Sequence, residues 1–142
     1  MRREKATEAL NIILPWPPSV NAYWRVYHRR LIVSKAGRAY RESIKQLAKS
    51  NNWPNFGSSD VRVSAVACPR DQGRYDIDNL RKAVYDALTY AGVWRDDSQV
   101  VYDNMAKSEP GLGALFIEIT MAKSSRADVP QWAKPYLAGL RS

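Results

Sequence analysis

The hydrophobic period of this chain changes twice between residues 61 and 105, and that constrains the fold more than any single motif does. Val61, Val63, Ala65 and Ala67 alternate with their neighbours as a half-buried strand does, and Pro69 ends the run. Leu80, Val84, Ala87, Leu88 and Ala91 then recur at helical spacing, with Asp78 as the expected N-cap and Gly92 as the stop. After a turn at residues 94–98, residues 99–105 read as a strand, and Leu115, Ile117, Ile119 and Met121 alternate as a last one beginning near Ala114. Strands and helices that must cover each other place the chain in the α/β (α+β) class. At 142 residues and 45% hydrophobic content it forms one small domain with a real core, not two.

The N-terminal half obeys the same rules. Leu10, Ile12 and Leu14 predict a first strand, stopped by Pro15, Pro17 and Pro18, which stiffen the chain and serve first of all to turn it. Aromatic and β-branched residues from Tyr23 to Val33 flank Tyr27-His28-Arg29-Arg30, a hairpin with a basic turn. Ser34 caps a helix running to about Lys49, with Tyr40, Ile44, Leu47 and Ala48 on one side. Its other side gathers Arg38, Arg41, Lys45 and Lys49, either a solvated face or a stripe turned toward DNA. Residues 1–8 are polar and expected to fray. Residues 124–142 change character, with Pro130 and Pro135 breaking a weak Val129, Trp132, Tyr136, Leu140 pattern. The expected organisation is a domain over 1–123 and an appendage over 124–142, packed or mobile.

Charge and residue inventory narrow the function. Lys plus Arg number 22 against 14 Asp plus Glu, a formal +8, which favours a polyanionic partner. Nucleic acid leads, since no basic amphipathic helix with a bulky apolar face and no lipidation signal supports a membrane surface. The apolar run from Leu10 to Leu14 is too short and interrupted for a signal peptide, and no stretch approaches a membrane span. One cysteine, Cys68, excludes an intrachain disulfide and a thiolate zinc site, fits a cytoplasmic protein, and is expected as a small core residue. With His28 as the single histidine, histidine-based metal nucleases and Ser-His-Asp triads are nearly excluded. Hydrolytic chemistry would have to rest on carboxylates.

Two acidic motifs offer them. Arg74-Tyr75-Asp76-Ile77-Asp78-Asn79 sets two aspartates where an extended connector meets a helix, able to project to one side. Trp94-Arg95-Asp96-Asp97-Ser98 sets two more on a turn just beyond that helix. If the turn packs back, Asp97 joins Asp76 and Asp78 in a hard oxygen site suited to Mg²⁺ or Mn²⁺ and to metal-assisted phosphodiester hydrolysis. Equally, Asp78 is an ordinary cap and Asp96 and Asp97 ordinary turn residues. Lys82, four residues after Asp78, reaches a bound phosphate or simply pairs with Asp78. Arg70 and Arg74 approach the same place, to hold flanking phosphates or to stay in solvent.

Longer stretches carry a resemblance. Leu14-Pro-Trp-Pro-Pro-Ser-Val-Asn-Ala-Tyr-Trp-Arg25 and Val33-Ser-Lys-Ala-Gly-Arg-Ala-Tyr-Arg41 resemble the N-terminal signature of RusA-type Holliday junction resolvases. Asp76-Ile-Asp-Asn-Leu-Arg-Lys-Ala-Val-Tyr-Asp-Ala-Leu88 and Gly92-Val-Trp-Arg-Asp-Asp-Ser-Gln-Val100 resemble the catalytic half, in the same order. The likeness runs from about Leu10 to Met121. It implies a small domain with a mixed sheet and two main helices, working as a homodimer, often encoded by phages or prophages. It implies Asp76, Asp78 and Asp97 as catalytic, metal-associated residues and Lys82 as a further catalytic one. It also implies cleavage of four-way junction DNA by paired symmetric nicks, with Mg²⁺ and no small-molecule cofactor. Asp71-Gln72-Gly73-Arg74-Tyr75 stands where some members carry a run of arginines, and the tail beyond about Lys123 has no counterpart.

Resolution needs two opposed cuts, and a chain with one acidic cluster and no internal repeat supplies them as a twofold dimer with both sites on one basic surface. The expected DNA-binding set is Arg29, Arg30, Arg38, Arg41, Lys45, Arg70 and Arg74, with binding that weakens steeply as salt rises. Two rivals stay open: a junction- or DNA-binding protein that does not cut, and a different metal-dependent phosphohydrolase, a nuclease acting on flaps or an enzyme acting on a nucleotide.

Overall fold

A computed structural model describes residues 9–122 and 127–138. Strand β1 (Leu10–Pro15) is followed by a single-turn helix α1 (Val20–Tyr23), strands β2 (Trp24–Tyr27) and β3 (Arg30–Val33), and helix α2 (Lys35–Ser50). Strand β4 (Val61–Cys68), helix α3 (Ile77–Tyr90), and strands β5 (Val100–Lys107) and β6 (Ala114–Met121) complete the body. The main sheet has the order β1-β6-β4-β5, with β6 antiparallel to both of its neighbours and β5 parallel to β4. The mixed sheet with two main helices is the expected class.

Alternation decides which face is covered. Leu10, Ile12 and Leu14 of β1, Val63 and Ala65 of β4, and Ile117 and Ile119 of β6 join Tyr40 and Ile44 of α2 and Leu80, Val84 and Leu88 of α3 in one core. Their alternate neighbours Ile13, Val66 and Phe116 point to the other face and are 39–59% exposed. Among the described residues, helices therefore cover one side of the sheet only.

The β2–β3 hairpin is a separate two-stranded sheet. Its two-residue turn places both His28 (φ 51°) and Arg29 (φ 62°) in the left-handed region. That geometry matches strand twist but favours Asn and Gly, so each side chain costs about 1 kcal/mol. The hairpin is anchored at its base, where a Cβ on Gly37 would lie 2.4 Å from the Tyr23 carbonyl oxygen and 2.7 Å from Val33 Cγ1. Glycine is what lets α2 approach the hairpin root so closely.

Some expectations need correction. The cap of α3 is Asp76, not Asp78: Asp76 keeps extended backbone angles and its carboxylate accepts from the Asp78 N–H at 2.9 Å. Asp78 falls within the first turn, where its charge favours the positive helix end. Strand β5 starts at Val100 because residues 97–99 close a 3₁₀ turn. Residues 20–23 form a helical turn capped by Ser19 where only a stiff extended segment was expected. Cys68 is half-buried at the end of β4, its sulfur accepting from the Leu112 N–H at 3.3 Å, rather than in the core. In the appendage, a 3₁₀ turn (Gln131–Ala133) leads into α4 (Lys134–Ala138), with Trp132 and Tyr136 more than 70% exposed. Residues 1–8, 123–126 and 139–142, including Leu140, lie outside the described residues.

Candidate active site

The β4–α3–β5 crossover fixes where the expected acidic residues lie. Because β4 and β5 are parallel, α3 must run back between them, so its two ends sit at opposite ends of the sheet. Asp76 and Asp78 stand at its start, beside the end of β5, where the Lys107 ammonium donates to the Tyr75 carbonyl at 2.9 Å. Asp97 stands at the other end, just before β5 begins. Among the described residues no three His, Cys, Asp or Glu side chains are grouped closely enough to hold one metal ion. The expected convergence of Asp97 with Asp76 and Asp78 is not present within this chain.

What the fold does gather is different. Asp78, Lys82 and Asp86 follow one stripe of α3 at four-residue intervals, with about 12 Å of helix between the first and last. Lys82, Asp86 and Asp97 open together into a cleft of about 540 Å³ whose other wall is the hairpin, through Val26 and Leu31. Asp86 was not among the expected site residues. It accepts from Arg41 Nε at 2.8 Å and Nη2 at 3.0 Å, and from the hydroxyl of fully buried Tyr23. Burial first, then the nearby charges of Asp96 and Asp86, raise the Asp97 carboxyl above the ordinary aspartate range.

The turn that presents Asp97 is tightly built. Asp96 caps it and accepts from the Ser98 N–H at 3.0 Å. Gln99, the one buried polar residue among the described residues, has both ends of its side-chain amide engaged. Its amide nitrogen donates to the Gly57 and Ser59 carbonyls at 2.8 and 2.7 Å, while its oxygen accepts from the N–H groups of Arg95 and Asp96 at 2.8 and 2.9 Å. Sequence reading missed this clamp, since a glutamine at the start of a strand gives no signal until the loop at 57–59 is seen beside it.

At the other end, Asp78 is largely open to solvent with Arg81 Nη1 3.4 Å away. Arg81 Nε approaches Asp103 at 2.6 Å, an ionic contact in which the N–H is not aimed at the carboxylate. Asp103 also accepts from Tyr85 Oη at 2.6 Å.

The basic residues separate into groups. Arg29 and Arg30 are exposed at the hairpin tip, and Arg70 and Arg74 are exposed on the connector before Asp76. Arg38 is exposed with Nη1 on the Val33 carbonyl at 2.9 Å, and the Lys45 ammonium lies 5.4 Å from the Tyr90 ring centre. Arg41, expected on the same stripe, has its guanidinium held in a fork by Asp86. Asp71, in the connector, orders that segment by accepting from the Gly73 N–H at 2.9 Å and Tyr75 Oη at 2.6 Å.

A family model described as Endodeoxyribonuclease RusA matches residues 15–120. The protein called Crossover junction endodeoxyribonuclease RusA in Escherichia coli strain K12 is 43% identical over 91 residues, covering 64% of this chain and 76% of that protein. Proteins given the same description in Enterobacteria phage 82 and Shigella sonnei strain Ss046 are each 42% identical over 91 residues, with the same coverage.

Proposed function

Because the chain belongs to the RusA endodeoxyribonuclease family, we propose that it resolves Holliday junctions, hydrolysing a phosphodiester in each of two opposed strands of a four-way DNA junction. The observation that carries this reading is the cleft: Lys82 and Asp97, singled out separately in the sequence, open into one space beneath a basic hairpin. The formal charge of +8 supports a polyanionic substrate. Arg29, Arg30, Arg38, Lys45, Arg70 and Arg74 hold phosphates, and Arg41 acts by holding Asp86.

The donor set fits a hard divalent cation, since every candidate ligand is a carboxylate oxygen. Its arrangement in one chain does not enclose such an ion, as no three of these groups meet. Asp76 with Asp78 at one end of α3, and Asp97 at the other, are partial donor sets. Mg²⁺ suits partial sets because it keeps waters and takes substrate phosphate oxygens for the rest. We assign it as the cofactor, with Mn²⁺ as a substitute. When bound it would activate water and neutralise the scissile phosphate. The chain's own contribution is legible without it. Lys82 presents an exposed ammonium to a phosphate entering the cleft, Asp97 holds its proton to higher pH than a free aspartate, and Arg41 with Tyr23 fixes the cleft floor through Asp86.

Two copies related by a twofold axis would match the junction's symmetry and supply both cuts. The nuclease domain is assigned to residues 1–123 and the appendage to 124–142, in line with a family match that ends at residue 120 and a last core strand that ends at Met121. Among the described residues no helix is long and apolar enough to cross a membrane. The proposed setting is the cytoplasm of a bacterial or phage-infected cell.

One observation favours a second reading: the unclosed carboxylate set would suit a protein that binds junctions without cutting them. Incubating the protein with four-way junction, flap and linear duplex DNA in Mg²⁺ or Mn²⁺ separates the readings. Paired, ligatable nicks confined to the junction are expected. Binding without cutting in either metal, or equal cutting of flap and duplex, would overturn the proposal.

A further inference from the structure

The β2–β3 hairpin exposes apolar side chains for which the fold has no use. Directly opposed residues of an antiparallel pair share a face, so Trp24, Val33, Val26 and Leu31 form one stripe of the hairpin. Trp24 and Val33 pack against the core at its root. Val26 and Leu31 continue the stripe outward, 73% and 69% exposed, and form the cleft wall across from Lys82, Asp86 and Asp97. The opposite face carries Tyr27, with the Arg25 guanidinium 5.6 Å from its ring centre, and the turn carries His28 and Arg29 in backbone states that would suit glycine better. Residues 24–33 contain three arginines, Arg25, Arg29 and Arg30, and no acid.

Charge decides what covers the apolar pair. A second copy docked hairpin to hairpin would bring two acid-free basic elements together, and like-charge juxtaposition opposes that. Branched DNA reverses the sign. Its phosphates match the arginines, and at a strand crossover the base stack ends, leaving base faces that an aliphatic wedge can cover. We propose that the Val26–Leu31 pair is a wedge that covers unstacked base faces at the crossover while Arg29 and Arg30 hold the flanking phosphates, setting the scissile strand over the cleft. The inference rests on the junction reading above and adds to it the element that recognises the branch point.

The test uses the whole protein with metal withheld by EDTA, so that binding is read without cutting. A four-way junction carries 2-aminopurine beside the crossover, and its emission reports unstacking. Wild-type protein should raise that emission. The variant V26T/L31T places strand-favouring β-branched residues at both positions and removes most of the apolar surface. It should lose the rise and bind the junction about tenfold more weakly, with affinity for linear duplex, circular dichroism and sedimentation unchanged. Unaltered emission and junction affinity would overturn the wedge. So would a lowered sedimentation coefficient in the variant, which would show the pair covered by a second copy. Failure of the wild type to cut junctions in Mg²⁺ would sink the resolvase reading while leaving the emission result to decide the wedge.

Discussion

Replacing Asp86 with alanine removes the carboxylate that Arg41 and Tyr23 share. Two charged hydrogen bonds of 2.8 and 3.0 Å are lost, between side chains that are 25% and 26% exposed. Charged hydrogen bonds contribute about 1.5–3 kcal/mol when buried, and partial exposure moves this pair toward the lower end. The hydroxyl of Tyr23, a residue with no exposed surface, loses its acceptor as well, at about 1–2 kcal/mol. The expected loss is thus about 2–4 kcal/mol, read as a lower urea midpoint at unchanged slope. A cycle pairing Asp86→Ala with Arg41→Met should show coupling of about 1 kcal/mol or more. Because Tyr23 leads directly into β2, the variant should also loosen the hairpin against α3 and slow cleavage. A loss below about 0.5 kcal/mol, or additive single effects, would refute the view of Asp86 as the joint between helix and hairpin.

Gln99→Leu keeps the side chain's bulk but strands the two carbonyls and two N–H groups it serves, so calorimetry should show a loss of about 2–4 kcal/mol; near-neutrality would contradict the clamp. Asp97→Asn should melt higher than wild type at neutral pH. The folded carboxyl binds its proton more tightly than the unfolded one, so ionisation opposes folding as pH rises through that interval, and the variant's advantage should vanish below the aspartate range. A lower melting temperature at neutral pH would contradict this. Lys82→Ala should slow single-turnover cleavage about tenfold or more while changing junction affinity less; equal losses would make Lys82 a docking residue.

Local patterning made most of the fold legible. Period-2 runs located β1, β4 and β6, and the apolar stripe with Gly92 located α3, because both signals are set by neighbours in sequence. The Asp76 cap was misplaced by two residues because two aspartates there compete, and only backbone angles tell which one lies outside the helix. The site was half legible. Lys82 and Asp97 share a cleft as residue types at a helix and a turn suggest, but the meeting of Asp97 with Asp76 and Asp78 depended on the sense of the crossover. Parallel pairing of β4 and β5 is a long-range fact that no local pattern encodes. Asp86 stood in view on the Asp78–Lys82 stripe, and what hid it was its partner Arg41, which looked like one more surface cation.

The central claim is that this chain cuts junctions with its own aspartates. Single-turnover cleavage of a four-way junction in Mg²⁺, with affinity measured alongside, tests it most directly on Asp76→Asn, Asp78→Asn and Asp97→Asn. Each substitution should lower the rate by about a thousandfold or more, with affinity equal or higher because a negative charge near phosphates is gone. Cleavage at the wild-type rate in any of the three would contradict that residue's place in the chemistry, and in all three it would contradict the account.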